Sequence, residues 1–273
     1  MRALPYAYAP SVIRNVSSHL ALESDGNARI ALAIAVDWTP ATEMLRIEQK
    51  SKALEFEWLT DPSGTRFAFA NIAAGAIDIT YEAQVDGREE PHTSTRLNEL
   101  IYLRPSRYCE SDTLAPIARS EFAGLAGKDL IDAVSSWVGS NLSYVPGWSS
   151  PTDGAVATLL ERQGVCRDYA HLVVALLRAR EVPARVASVY APGLSPMDFH
   201  AVAEAAVDGV WRVVDATTLA PRESLLRIAT GRDASDTAFL DTQGADVRLN
   251  SLEVMATVDH LPLDDVTQFQ SLG

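Results

Sequence analysis

The spacing of apolar residues changes once along this chain, and the change divides it. From about residue 11 to residue 104 apolar and polar positions alternate. Residues 54–59 read LEFEWL, and Ile77, Ile79, Tyr81, Ala83 and Val85 fall on one face of a period-two segment. Asp25-Gly26, Asp61-Pro62-Ser63-Gly64 and Asp86-Gly87 punctuate the run as turns. Short strands separated by turns predict a β-sandwich over residues 1–105. No cluster with evident chemistry lies in this part.

Residues 104–116, with two prolines and several polar side chains, read as a boundary. Beyond them Leu130, Ile131, Val134, Val138 and Leu142 recur at helical spacing. Residues 144–154, rich in Gly, Pro and Ser, read as a loop. Val165, Tyr169, Leu172, Val173, Leu176 and Leu177 then define a strongly apolar helix that Pro183 ends. A strand at ARVASVY follows, and after it two more strands, FHAVAEAAV and VWRVVDAT, joined by Asp208-Gly209. Residues 106–273 are therefore expected to form an α+β unit.

Length and composition bound the function. A chain of 273 residues that is 47% hydrophobic and 22% charged can bury a core without disulfide or metal staples. A net charge of −13 repels phosphate backbones, which argues against nucleic acid as a partner. The opening MRALPYAYAP lacks the apolar stretch of a leader, and the runs at 30–36 and 172–177 are too short to span a bilayer, so no membrane and a cytoplasmic setting are expected. The two cysteines, Cys109 and Cys166, make no CxxC and no zinc spacing. Cys109 reads as a small buried hydrophobe.

Cys166 is different, because it opens the apolar helix directly after Gly164-Val165. A helix start presents unpaired N–H groups and a partial positive charge, which favour a thiolate and can hold an oxyanion. Gly164 would let the backbone come close to a substrate. On the strand pair, the Asp208-Gly209 turn sets Val207 against Val210. That register makes His200 and Asp215 diagonal neighbours on one face, within reach of an imidazole–carboxylate hydrogen bond. Thiol, imidazole and carboxylate then have the parts of nucleophile, base and orienter. The structural alternative is a buried thiol, a satisfied strand histidine and a turn carboxylate.

The segments G-V-C-R-D-Y-A-H-L, F-H-A-V-A-E and V-V-D-A-T, with S-Y-V-P-G at 143–147 and G-R-D-A-S-D-T-A-F at 231–239, resemble the transglutaminase-like superfamily, and most of all its bacterial cysteine-protease-like branch. The resemblance implies a papain-like domain in which Cys166 opens a helix packed on an antiparallel sheet, with His200 and Asp215 on adjacent strands. It also implies that the β-rich first part is the family's N-terminal domain. The expected activity is thiol acyl transfer on an amide or peptide bond, with a peptide or protein substrate and no cofactor or metal. Tyr144 and Gln163 are candidates for an oxyanion donor or a supporting contact. Many relatives carry Trp two positions after the histidine. Here Val202 stands there, which would open the cleft to water and favour hydrolysis over transfer to an amine. The rival expectation is a non-catalytic binding or scaffold module that keeps the fold. Asp168 could favour the helix start electrostatically, His171 reads as packing, and Asp233 and Asp236 as solvated loop charges. The substrate and the oligomeric state are not legible.

Overall fold

The computed structural model describes residues 12–272; the opening ten residues discussed above lie outside that range. The chain runs through strands β1 (Ile13–Ser24), β2 (Ala28–Leu32), β3 (Thr42–Gln49), β4 (Lys52–Ala53), β5 (Phe56–Thr60), β6 (Arg66–Ile72) and β7 (Gly75–Asp86). Helices α1 (Arg96–Tyr102), α2 (Ala115–Glu121) and α3 (Gly127–Asn141) follow, then β8 (Ser143–Tyr144), α4 (Ala155–Glu161), β9 (Gln163–Gly164) and α5 (Cys166–Ala179). Strands β10 (Ala184–Tyr190), β11 (His200–Val207), β12 (Val210–Val214) and β13 (Leu226–Gly231), helix α6 (Ala234–Thr237), and strands β14 (Leu240–Gly244) and β15 (Val247–Val258) complete it.

Two antiparallel sheets, in the orders β15-β1-β7-β3-β4 and β14-β2-β6-β5, bury one apolar core between them. The alternation read from the sequence explains it. Ile77, Ile79, Tyr81, Ala83 and Val85 of β7 all point inward, facing Ile30 and Leu32 of β2 and Ala68 and Ala70 of β6. The extent of this layer differs from the expected boundary at 105. Strands β14 and β15, from the far end of the chain, pair with β2 and β1. Their sequence sets them apart little from any other amphipathic strand; what places them is pairing more than 200 residues away, which local spacing does not report.

The second layer is the antiparallel sheet β12-β11-β10-β13 with α5 across one face. Every residue of α5 from Asp168 to Arg178 is buried. Its apolar side chains meet Ala203 and Ala205 of β11, Ala184 and Val186 of β10, and Leu130, Ile131, Val134 and Val138 of α3. The small alanines on the sheet let the helix lie close. The opposite face of the sheet closes over Ala187, Val189, Val202, Val213 and Leu225, while Tyr190, Leu226 and Ile228 join the core of the first layer. Cys109 is fully buried in the α5 core, as expected of a structural cysteine, and burial pushes its thiol well up.

Charge is also buried at this junction. Arg185 Nε donates to Glu204 Oε2 at 2.7 Å and Arg227 Nη2 to Glu204 Oε1 at 2.5 Å, with Asp37 of the first layer 3.6 Å from Arg227. Burial would raise the Glu204 carboxyl, but the two guanidiniums outweigh it and hold the group below its usual value. Arg185 also lies 4.2 Å over the ring of the buried Trp211. Removing the charge of Glu204 strands two buried cations. Glu204→Gln is therefore expected to cost about 3–5 kcal/mol of stability, measured by urea unfolding at neutral pH; a change below about 1 kcal/mol would show that the network is energetically idle.

Candidate active site

The β11–β12 pairing follows the register expected from the Asp-Gly turn: Val207 faces Val210, Ala205 faces Arg212 and Ala203 faces Val214. His200 therefore stands at the start of β11 and Asp215 just past the end of β12. Their side chains meet, with Nε2 2.9 Å from Oδ2, and both are almost wholly buried. The other carboxylate oxygen accepts from Thr217 N at 2.9 Å and Thr217 Oγ1 at 2.7 Å, which fixes the rotamer of Asp215. Thr217 was legible as the Asp-x-Thr spacing of a turn in which a carboxylate bonds the chain two residues on. On the other flank, α3 comes so close that a Cβ on Gly139 would sit 2.8 Å from the carbonyl oxygen of Ala216. Glycine at 139 thus allows α3 to press directly on the residue after Asp215.

Cys166 occupies the first turn of α5 and is half-buried. The turn is built by Asp168, whose Oδ2 accepts the Val165 N–H at 2.8 Å while Oδ1 accepts from Arg167 Nη2 at 3.0 Å. The expected electrostatic contribution of Asp168 is thus a direct cap. Gly164 has a different purpose from the one expected. A Cβ there would meet Asp168 Cβ and Oδ2 at 2.7 Å, so the glycine makes room for the capping carboxylate.

Burial alone would lower the pKa of His200. The charge and hydrogen bond of Asp215 work the other way, as do the hydrogen bond and charge of Cys166, and the imidazole is pushed up to about 10. Asp215 is held below the usual carboxylate range, because His200 and Thr217 outweigh its burial. On the side away from Asp215, Nδ1 of His200 is buried and makes no hydrogen bond among the described residues.

Tyr144 lies next to the segment that leads into Cys166. The short parallel pair β8–β9 sets Tyr144 opposite Gly164, two residues before the cysteine. Burial, and next the charge of Cys166, push the phenol up to about 12. It stays a neutral hydroxyl that can donate a hydrogen bond. Gln163 lies on the same strand pair, opposite Ser143, and makes no side-chain hydrogen bond among the described residues.

The other residues singled out from the sequence sit apart. His171 is fully buried, stacks on Tyr108, accepts the Ala234 N–H at Nε2, and is held neutral by burial, with its pKa lowered to about 4. Asp233 is buried and caps α6 through Ser235, and Asp236 pairs with Arg232, so neither is a free loop charge. Val202 does not line the cleft. It is 1% exposed among Ala187, Val189, Leu194 and Val213, so valine there opens nothing to water. Trp211 is buried against Tyr102 and Arg185, and Trp148 is exposed on the loop before α4, bonded to Glu161.

Residues 121–216 of this chain match the model of the Transglutaminase-like superfamily. Among solved structures the chain is similar to the "Putative Cysteine Protease" of Cytophaga hutchinsonii, with 29% identity and a TM-score of 0.84 over 97% of this chain and 94% of that one. It is also similar to an uncharacterized protein of Mycobacterium leprae, with 27% identity over 150 residues. That match takes in 50% of this chain and 53% of the relative, so it spans about half the length of that protein.

His200 sets a pH signature. Its pKa in the fold lies above the ordinary 6.5, so the stability it contributes is complete below that pH and is lost as pH rises through about 10. Asp215, lowered, contributes stability that is present above its unfolded value and lost as pH falls through the lowered one. An imidazole NMR titration should show His200 protonated through neutral pH. In Asp215→Asn, which removes the leading upward influence, the midpoint should fall toward the ordinary histidine range; an unchanged midpoint would contradict this origin of the shift.

Proposed function

We propose that the protein is a thiol acyl-transfer enzyme acting on peptide or amide bonds, with Cys166 as nucleophile, His200 as acid and base, and Asp215 as the group that orients and charges the imidazole. The observation that carries this reading is the buried 2.9 Å His200–Asp215 bond, whose imidazole is pushed up by Asp215 and also by Cys166 at the start of α5. An imidazolium paired with a thiolate is the resting state such chemistry needs.

In this mechanism Cys166 Sγ attacks the carbonyl carbon, and the carbonyl π pair moves to oxygen. The Tyr144 hydroxyl and the main-chain N–H of Cys166 stabilise the oxyanion. The tetrahedral adduct collapses, the C–N bond breaks, and His200 gives its proton to the departing nitrogen. The thioester is then attacked by an acceptor whose proton returns to His200, and the acyl group leaves as cysteine departs. Asp215 keeps Nε2 as donor, so Nδ1 is the nitrogen that exchanges protons with sulfur, leaving group and acceptor. The likeness in sequence and fold to the Cytophaga hutchinsonii protein supports a protease-like activity and a peptide substrate.

Water is the acceptor in our reading. The support is exposure around the thiol: Cys166 is half-buried, Tyr144 is 40% exposed and Trp148 is 54% exposed. The buried Trp211 gives the cleft no aromatic wall that would shield a thioester from solvent.

The test is a library of fluorogenic peptide amides, run with and without a primary amine in excess. The parent should release free acid, and Cys166→Ala should lose at least about a thousandfold in rate while keeping its thermal unfolding profile. Amine incorporation that outruns acid release would make the protein a transferase. Turnover retained in Cys166→Ala would remove the thiol mechanism. Iodoacetamide labelling decides against the rival scaffold reading, since the thiol of a catalytic Cys166 should be alkylated at mildly acidic pH while the buried Cys109 is spared.

A further inference from the structure

Arg185 is 4% exposed, and its guanidinium lies over the Trp211 ring at 4.2 Å. Only one nitrogen of that group is bonded. Nε donates to Glu204 at 2.7 Å, whereas Nη1 and Nη2 make no hydrogen bond among the described residues. Packing closes off Nη2 but not Nη1. A buried guanidinium with an unused donor costs free energy unless something accepts from it.

Arg185 forms one wall of a cavity of about 370 Å³. The other walls include Ser63 from the turn between β5 and β6, His92 and Thr93 from the segment before α1, and Asn98 and Tyr102 from α1. Two more donors are unused there. Asn98 accepts from Thr95 N and Thr95 Oγ1 through Oδ1, which leaves its amide N–H groups unbonded among the described residues. The Tyr102 hydroxyl makes no hydrogen bond among them either, although the ring is held edge-on against Trp211. His92 is engaged, with Arg227 Nη1 at 2.5 Å and Glu89 at 3.3 Å. No aspartate or glutamate among the described residues lines the cavity.

The surrounding charges determine what could enter. Glu204 is shared between Arg185 and Arg227, so one carboxylate answers two guanidiniums. Asp37 stands 3.6 Å from Arg227, and burial pushes its carboxyl up to about 7. With Glu89 on His92, the cluster is close to balance, and a singly charged anion suits it better than a doubly charged one.

We propose that this cavity binds a small free carboxylate, which accepts hydrogen bonds from Arg185 Nη1, Asn98 Nδ2 and the Tyr102 hydroxyl. A guanidinium held flat by an aromatic ring is a preorganised donor for such a group. The site is separate from the chemistry at Cys166. Glu204, which faces Arg185 across β10 and β11, lies four residues along β11 from His200, a distance of about 13 Å.

The test is NMR titration of the whole protein with sodium acetate, with acetamide as its neutral isostere and with inorganic phosphate, at one ionic strength. Acetate should bind at least about tenfold more tightly than either. Tyr102→Phe keeps the ring against Trp211 and should weaken acetate about fivefold. Asn98→Asp keeps the oxygen that caps α1 but sets a carboxylate where the amide N–H groups were, and should abolish binding. Arg185→Gln should abolish it too. That change also breaks the pair with Glu204, so if it does not fold, Tyr102→Phe and Asn98→Asp, which leave the pair in place, decide the matter. Cys166→Ala should bind acetate as the parent does. Acetate that binds no better than acetamide, or binding unchanged in Tyr102→Phe and Asn98→Asp, overturns the proposal. Loss of binding in Cys166→Ala overturns it as well, because the carboxylate would then sit at the thiol. Phosphate tighter than acetate overturns the choice of a singly charged ligand.

Discussion

Helix α5 is the member on which the rest of the structure depends. It is buried from Asp168 to Arg178, with the third sheet on one side and α3 on another, so its axis and its rotation are both determined by packing. A helix held in this way has a first turn that cannot drift, and Cys166 is in that turn. The sulfur is placed by the core, not by the loop that leads to it. Asp168, buried and bonded to Val165 N, then fixes where the helix begins.

The site is completed by groups that arrive from different parts of the chain and are each held by a second interaction. His200 is at a strand start, Asp215 is locked by Thr217, and Tyr144 is brought by a parallel pair of only two residues per strand. The buried charges at the other end of the sheet follow the same logic, with Glu204 bridging Arg185 and Arg227. In both places the cost of taking ions out of water is offset by pairing, and the geometry is thereby restricted to one arrangement.

Much of the site was legible because its signals are local. The Asp208-Gly209 turn determines the β11–β12 register, and the register alone puts His200 beside Asp215. The apolar spacing after Gly164 announces α5 and so places Cys166 at a helix start. What the sequence concealed depends on contacts made at a distance. Helix α1, seven residues long, fell within the stretch read as β, and β15 gave no sign of its pairing with β1. Val202 was misplaced for a related reason: its position relative to His200 was known, but which face of the sheet is covered depends on Leu194, Val213 and Leu225 from separate segments. Gly164 is another case, since its nearest neighbour is the side chain of Asp168 and not a substrate.

The pairing of β15 with β1, residue 14 against residue 258 and residue 24 against residue 247, has a consequence for biosynthesis. During translation β1 emerges more than 200 residues ahead of β15 and waits with one edge open until β15 has left the ribosome. The first layer is therefore not a unit that forms early and serves as a platform for the second. Its last strands are delivered only after α5 and the third sheet have been made. A ribosome stalled before residue 240 would hold a chain that has every residue proposed for the chemistry yet lacks the two strands that finish the sheets beside them. The two sheets of the first layer are closed by β14 and β15, and until then a long unpaired edge is open to any other chain that can extend the sheet.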